Sequence, residues 1–287
     1  MTQSEMLKME GRRFGEERAL YESCGVWLKN CTFDGEEDGE SALKESCDIL
    51  AEDTLCNLRY PFWHDTRLEL RRCELTPLCR AALWYTEDVL ITDCRLHGIK
   101  ALRECKNVKM ENCDISSAEF GWSTAGLSMK NCTAQGEYFM LRVSNFQIDG
   151  LQFTGKYSFQ YAENGVIENS VLNTKDAFWH AKNLTVRNSV IKGEYLAWYS
   201  EGLTLINCKI IGTQPLCYCK GLKLENCEMI DTDLSFEKSD VEATLTAPIV
   251  SIKNPRTGYI QVPKIGELII TDPLAKCEIT EGLPFSK

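Results

Sequence analysis

Histidine is scarce in this sequence, with 3 in 287 residues, and proline is sparse at 8. No stretch approaches the run of about 18 apolar residues that crosses a membrane as a helix. Residues 1–20 lack the apolar core of a secretory signal, so the expected location is the cytoplasm. Basic residues are in deficit: 32 Lys and Arg stand against 42 Asp and Glu, for a formal net charge of -10. A surface of that sign repels phosphate backbones and anionic headgroups on average, so neither nucleic acid nor membrane is an expected partner. There is no phosphate-binding loop, dinucleotide fingerprint, HExxH, GxSxG or zinc-finger spacing. No cofactor and no metal site are therefore expected.

Cysteine is plentiful, and its 15 copies are an odd number. In an oxidising compartment they would form a disulfide framework with one thiol left over; in a reducing one they would stay free. Their spacing favours free thiols, because they fall on a repeat. Residues 184–191, 203–210 and 222–229 read LTVRNSVI, LTLINCKI and LKLENCEM, each 19 residues after the last. The same period places Cys94, Cys113, Cys132, Leu151, Ser170, Ser189, Cys208 and Cys227 in one column. Cys31, Cys47 and Cys73 fit as earlier members with irregular spacing.

Flanking columns are apolar throughout. One holds Ile91, Met110, Met129, Ile148, Ile167, Val186, Leu205 and Leu224; another holds Leu96, Ile115, Ala134, Phe153, Leu172, Ile191, Ile210 and Met229. Polar residues between them give the period-two alternation of strands. Asn, Asp or Gly recurs just before the cysteine column and just before each repeat, and Gly recurs four residues after it. These residues tolerate left-handed or crowded backbone. Three turns per 19 residues predict three short strands per coil, stacked as a parallel β-helix of about a dozen coils. The expected layout is one domain over residues 1–287, with an N-terminal cap over about 1–15, coils over 16–248 and a proline-rich C-terminal cap over 249–287. The cysteine column reads as small buried apolar side chains, since Leu151, Ser170 and Ser189 share it and would not serve a metal.

The pattern LxIxNCxI, with asparagine at a tight turn, resembles the pectate-lyase-like right-handed β-helix superfamily. The runs KDAFWH (175–180), GEYLAWYS (193–200) and GTQPLCYC (212–219) resemble a bacterial family known as domain of unknown function 3737, over nearly the whole chain. The resemblance implies an all-β, single-stranded right-handed parallel β-helix and brings no established activity. The NTD, DD, GHG and RIK motifs of polygalacturonases are missing, and Asn173-Thr174-Lys175 lacks the acid. The calcium-and-arginine constellation of pectate lyases is not recognisable either.

The third strand of each coil carries the aromatic residues. One column holds Trp63, Trp84, Arg103, Trp122, Leu141, Gln160, Trp179, Trp198 and Cys217; the next holds His64, Tyr85, Glu104, Ser123, Arg142, Tyr161, His180, Tyr199 and Tyr218. Strand alternation would set one column inside and the other outside, and periodicity leaves open which. If the second faces out, its polar-tipped rings suit a sugar polymer. Candidate ligand-binding residues are then Tyr161, His180, Tyr199, Tyr218, Trp179, Trp198, Arg142 and Lys175. Asp176 and Glu194, on adjacent coils, form a carboxylate pair near His180, and such pairs perform acid–base hydrolysis or hold calcium. Salt bridges to Lys175 explain the same residues. A second cluster, Trp63, His64, Asp65 and Arg67, reads as an ion-pair network or a proton-transfer site. Two functions stay open: binding or acting on an oligosaccharide through the aromatic face, or a non-catalytic scaffold for protein interaction. Whether the chain is an enzyme is left undecided.

Overall fold

The computed structural model describes residues 2–35 and 39–282. The chain is an all-β, right-handed parallel β-helix, with about 14 turns rather than a dozen. Among the described residues the only helical turn is Gln3–Glu5. Two compact units divide the chain, residues 1–146 and 147–287, each built mostly of 19-residue coils, with coils of 23 and 21 residues in the first (Val26 on Ile49, Leu70 on Ile91) and one of 17 in the second (Ala243 on Ile260).

The additional turns lie at the two ends. Residues expected to cap the N-terminus already wind as a coil: Leu7–Glu10 lies in parallel register on Cys24–Lys29, and Arg13–Phe14 on Thr32–Phe33. Toward the C-terminus Ile249–Lys253, Thr257–Val262, Ile265–Ile269 and Glu278–Glu281 are strands paired in parallel. Pro248 precedes the first of these strands and Pro255, Pro263 and Pro273 fall between them, where no ladder hydrogen bond is lost. Residues 283–287 of the expected cap, Pro284 included, lie outside the described residues.

In the second unit a coil runs through Glu163–Glu168, a tight turn, and Val171–Lys175, then returns to the next coil at Lys182–Arg187. Ile167, Val186, Leu205 and Leu224 pair in register, as do Leu172, Ile191, Ile210 and Met229, and all eight are buried. In the first unit Ile91, Met110 and Met129 stack likewise. Each such side chain contributes roughly 1.5–3 kcal/mol on leaving water.

The two asparagine columns take the left-handed backbone their residue types allow. Asp93, Asn112, Asn131, Asn169, Asn188, Asn207 and Asn226 have φ between 48° and 54°. Their side chains bond from coil to coil: Asn112 Nδ2 donates to Asp93 Oδ1 at 3.1 Å, and Asn207 Nδ2 to Asn188 Oδ1 at 3.2 Å. The glycine turn has a different cause. A Cβ on Gly193 would overlap the carbonyl oxygen of Thr174 in the preceding coil, so glycine is required by the close approach of two backbones.

The third side departs from expectation. In the first unit the described residues of this side contain only the two-residue strands Leu83–Trp84 and Leu102–Arg103, and in the second unit it is a run of turns. Every second residue there is left-handed: Asp176, Phe178 and His180 have φ of 53°, 60° and 55°, and Tyr195, Ala197 and Tyr199 have 54°, 60° and 60°. Period-two alternation of side chains does not survive this backbone. Phe159, Phe178 and Leu216 fill the interior, while the tryptophan column is half-buried and the following column lies outermost. Of these two columns only Cys217 belongs to the core.

Candidate functional site

The outermost column of the second unit is a ladder of rings. Tyr161, His180, Tyr199 and Tyr218 stack face to face, with centroids 4.9, 5.1 and 4.8 Å apart and interplanar angles of 9°, 8° and 11°. All four are left-handed, at a cost of about 1–3 kcal/mol each for non-glycine residues. Cross-coil hydrogen bonds hold that backbone: Tyr161 N donates to Trp179 O at 2.8 Å, His180 N to Trp198 O at 3.0 Å, and Tyr199 N to Cys217 O at 3.2 Å.

Beneath the ladder Trp179 and Trp198 stack at 5.4 Å, and their indole nitrogens donate to the carbonyls of Tyr195 and Gln214. Trp198 meets Tyr199 and Tyr218 edge-on. Phe159 and Phe178 stack at 5.4 Å as the buried row behind. The candidate rings Tyr161, His180, Tyr199, Tyr218, Trp179 and Trp198 therefore come together. Arg142 lies on the same column in the first unit and is exposed.

The carboxylate pair does not form a free acid–base couple. Lys175 Nζ closes on Glu194 at 2.9 Å and sits 5.3 Å from the Tyr195 ring, and the Glu194 contact raises the lysine above its usual value. Asp176 is buried, and burial raises its carboxyl, with Lys175 opposing and Glu194 adding. Tyr195, one 19-residue coil after Asp176 and at the equivalent turn-proximal position expected from the repeat, is the ring that Lys175 covers.

The second cluster comes apart. His64 stacks on Tyr85 at 4.8 Å and Trp63 on Trp84 at 5.0 Å. Arg67 makes two hydrogen bonds to Asp48, at 2.7 and 2.8 Å. Asp65 turns inward, where its Oδ1 accepts the Ser46 N–H at 2.9 Å and its Oδ2 has no partner. No proton relay through these residues is assembled. Arg103, the member of the tryptophan column between Trp84 and Trp122, is held 5.0 Å from each ring and fills the column with a cation.

Two cysteine assignments change. Cys24 and Cys47 sit opposite each other in register and are joined as a disulfide, so not every thiol is free. Cys47 leaves the cysteine column, whose position in that coil belongs to Thr54: Leu55 N donates to Cys31 O, and Glu74 N to Thr54 O. The other cysteines of the column are buried, and Cys113, Cys208 and Cys227 donate to carbonyls two residues back. Elsewhere burial pushes the thiols of Cys105 and Cys219 up to about 11, away from thiolate chemistry. Among the described residues no group of three or more His, Cys, Asp or Glu is placed to hold a metal. One shallow depression of about 360 Å³ is lined by the turn residues Asn188, Asn207 and Asn226, and by Lys209 and Glu228, which pair at 3.3 Å.

Residues 7–280 match the family described as Protein of unknown function (DUF3737). No curated protein resembles the chain closely enough to count as a relative. Among solved structures, similarity extends to the A-module of a mannuronan C-5 epimerase of Azotobacter vinelandii, at 10% identity and a TM-score of 0.38, covering 93% of this chain and 89% of that one. A tailspike protein of E. coli bacteriophage HK620 gives 8% identity and 0.46, covering 88% and 60%. A surface adhesin of Streptococcus pneumoniae gives 10% and 0.42, covering 82% and 85%.

Proposed function

The chain belongs to the DUF3737 family, and from that premise we propose that it is a carbohydrate-binding protein whose contact surface is the ring ladder of the second unit. The observation that carries this reading is the ladder itself. Four polar-tipped rings are fixed at one-coil intervals in costly backbone conformations, and Tyr161 and Tyr199 are still 41% and 44% exposed. Preorganised aromatic side chains lose little entropy on contact and offer both apolar surface and hydrogen-bonding tips. Binding is favoured over hydrolysis because Glu194 is neutralised by Lys175 and Asp176 is buried.

A second reading, a scaffold with no sugar ligand, is favoured by one feature: the rings cover one another and so stabilise the coils unaided. Titration with an oligosaccharide panel separates the two. Quenching or shift of the fluorescence of Trp179 and Trp198 is expected on binding, and Tyr199→Ala or His180→Ala is expected to weaken it about 10-fold. Silence across a broad panel, with the wild-type fold intact, leaves the scaffold standing and removes the sugar.

A further inference from the structure

Both faces of the Tyr199 ring are occupied, by His180 at 5.1 Å and by Tyr218 at 4.8 Å. One edge faces Trp198. Tyr199 is nevertheless 44% exposed, so the accessible part is the remaining edge and the phenol hydroxyl. His180 is covered in the same way, by Tyr161 and Tyr199. A ligand lying along these inner rungs cannot stack on a ring face; it meets a row of hydroxyl and imidazole tips, one per coil.

The flanks define the charge such a ligand carries. On one side run Glu163, Lys182, Glu201 and Lys220, two acids against two bases, for a sum of zero. Lys182 stands in register between Glu163 and Glu201, and Lys220 Nζ reaches Glu201 at 3.2 Å. On the other side run Lys156, Lys175, Glu194 and Thr213, two bases against one acid, for a sum of +1, with Lys175 closed on Glu194 at 2.9 Å. Beyond Tyr218, Glu237 pairs with Lys253 at 3.2 Å. Surface pairs of this kind leave little field for steering an ion.

We infer, on the basis of the sugar-binding reading above, that the ladder recognises an uncharged glycan through its ring tips, by hydrogen bonds to hydroxyl groups rather than by stacking on ring faces. Neutral hydroxyls match phenol and imidazole tips as both donors and acceptors. A polyuronate would instead need a cationic surface, whereas Lys175 and Lys220 are held by Glu194 and Glu201 and the two flanks together carry a net charge of only +1.

The test compares neutral and uronate oligosaccharides by calorimetry, with wild type, Tyr199→Phe and Tyr199→Ala. The Phe variant keeps the stack, so its fold is preserved even if the Ala variant fails. Neutral glycans are expected to bind with affinity changing less than about 2-fold between about 50 and about 500 mM salt. Tyr199→Phe is expected to weaken them about 3- to 10-fold, the effect of one lost hydrogen bond. Wild-type affinity in Tyr199→Phe overturns the tip-reading, and preference for uronates with steep salt dependence overturns the uncharged ligand; either result leaves sugar binding standing. Failure of every glycan to bind wild type removes both the inference and the reading beneath it.

Discussion

Asp65 occupies a corner position that Ser46, Thr86, Cys105 and Thr124 hold in neighbouring coils, each accepting an N–H from the following coil through its main-chain carbonyl. Its side chain is fully buried and offers one oxygen to the Ser46 N–H, while the other has no partner. Burial pushes the carboxyl up to about 8, with the Ser46 N–H opposing and Glu45 adding. An unfolded aspartate ionises near pH 4, so the native state keeps a proton that the unfolded chain loses. The stability from this group is fully present below about pH 4 and is lost as pH climbs to about 8, at roughly 1.4 kcal/mol per pH unit. Thermal unfolding of wild type is expected to weaken across that window. Asp65→Asn, which retains an acceptor for Ser46 and cannot ionise, is expected to flatten the decline and to melt higher than wild type at pH 8. Parallel melting curves for the two proteins from pH 5 to pH 9 would refute the assignment.

At the scale of the element, the turn run that carries the rings depends on the corner before it. Gly193 lies against the Thr174 carbonyl, Gly212 against that of Gly193, and Gly193 N donates to Ile211 O at 2.8 Å. The backbone is thus held from both sides, and added volume has nowhere to go. Gly193→Ala is expected to cost about 2 kcal/mol or more in urea unfolding and to perturb Trp198 fluorescence, because the ladder follows from this corner. A loss below about 0.5 kcal/mol would mean that the coils can part without cost. The surface columns are more forgiving. Arg72 to Asp53 at 2.7 Å and Lys223 to Glu242 at 3.4 Å are exposed pairs that contribute little singly.

A solenoid coil touches mainly its immediate neighbours, so perturbations stay local across the whole molecule. The Cys24–Cys47 disulfide closes a 23-residue separation in the first unit. Its loss frees chain entropy of about 3 kcal/mol on a loop-closure account. Reduction is expected to speed hydrogen exchange over residues 7–33, while the amides of Ile91 and Met110 keep their protection. Uniform loss of protection through the first unit would show that the coils unfold as one body instead.

Two sides of the coil were legible in the residues alone. Ile91, Met110 and Met129 repeat at 19, and each meets the same neighbours at the same azimuth, so burial follows directly from period. Asparagine at Asn112, Asn131 and Asn188 marked left-handed turns because its short amide tolerates that backbone and bonds to the next coil. The third side was not legible. Phe178, His180, Ala197 and Tyr199 have no intrinsic preference for φ near +60°; cross-coil hydrogen bonds and ring stacking impose it. Once φ alternates, the rule that neighbouring residues face opposite ways fails, and both aromatic columns move outside. The Cys31 to Thr54 interval, 23 rather than 19 residues, misdirected the cysteine column in the same coil. Residue order alone therefore determined the period, the apolar columns and the asparagine turns, since these arise from repetition along the chain. Which rings face solvent, where Asp65 points and which cysteines join were decided only by contacts between coils.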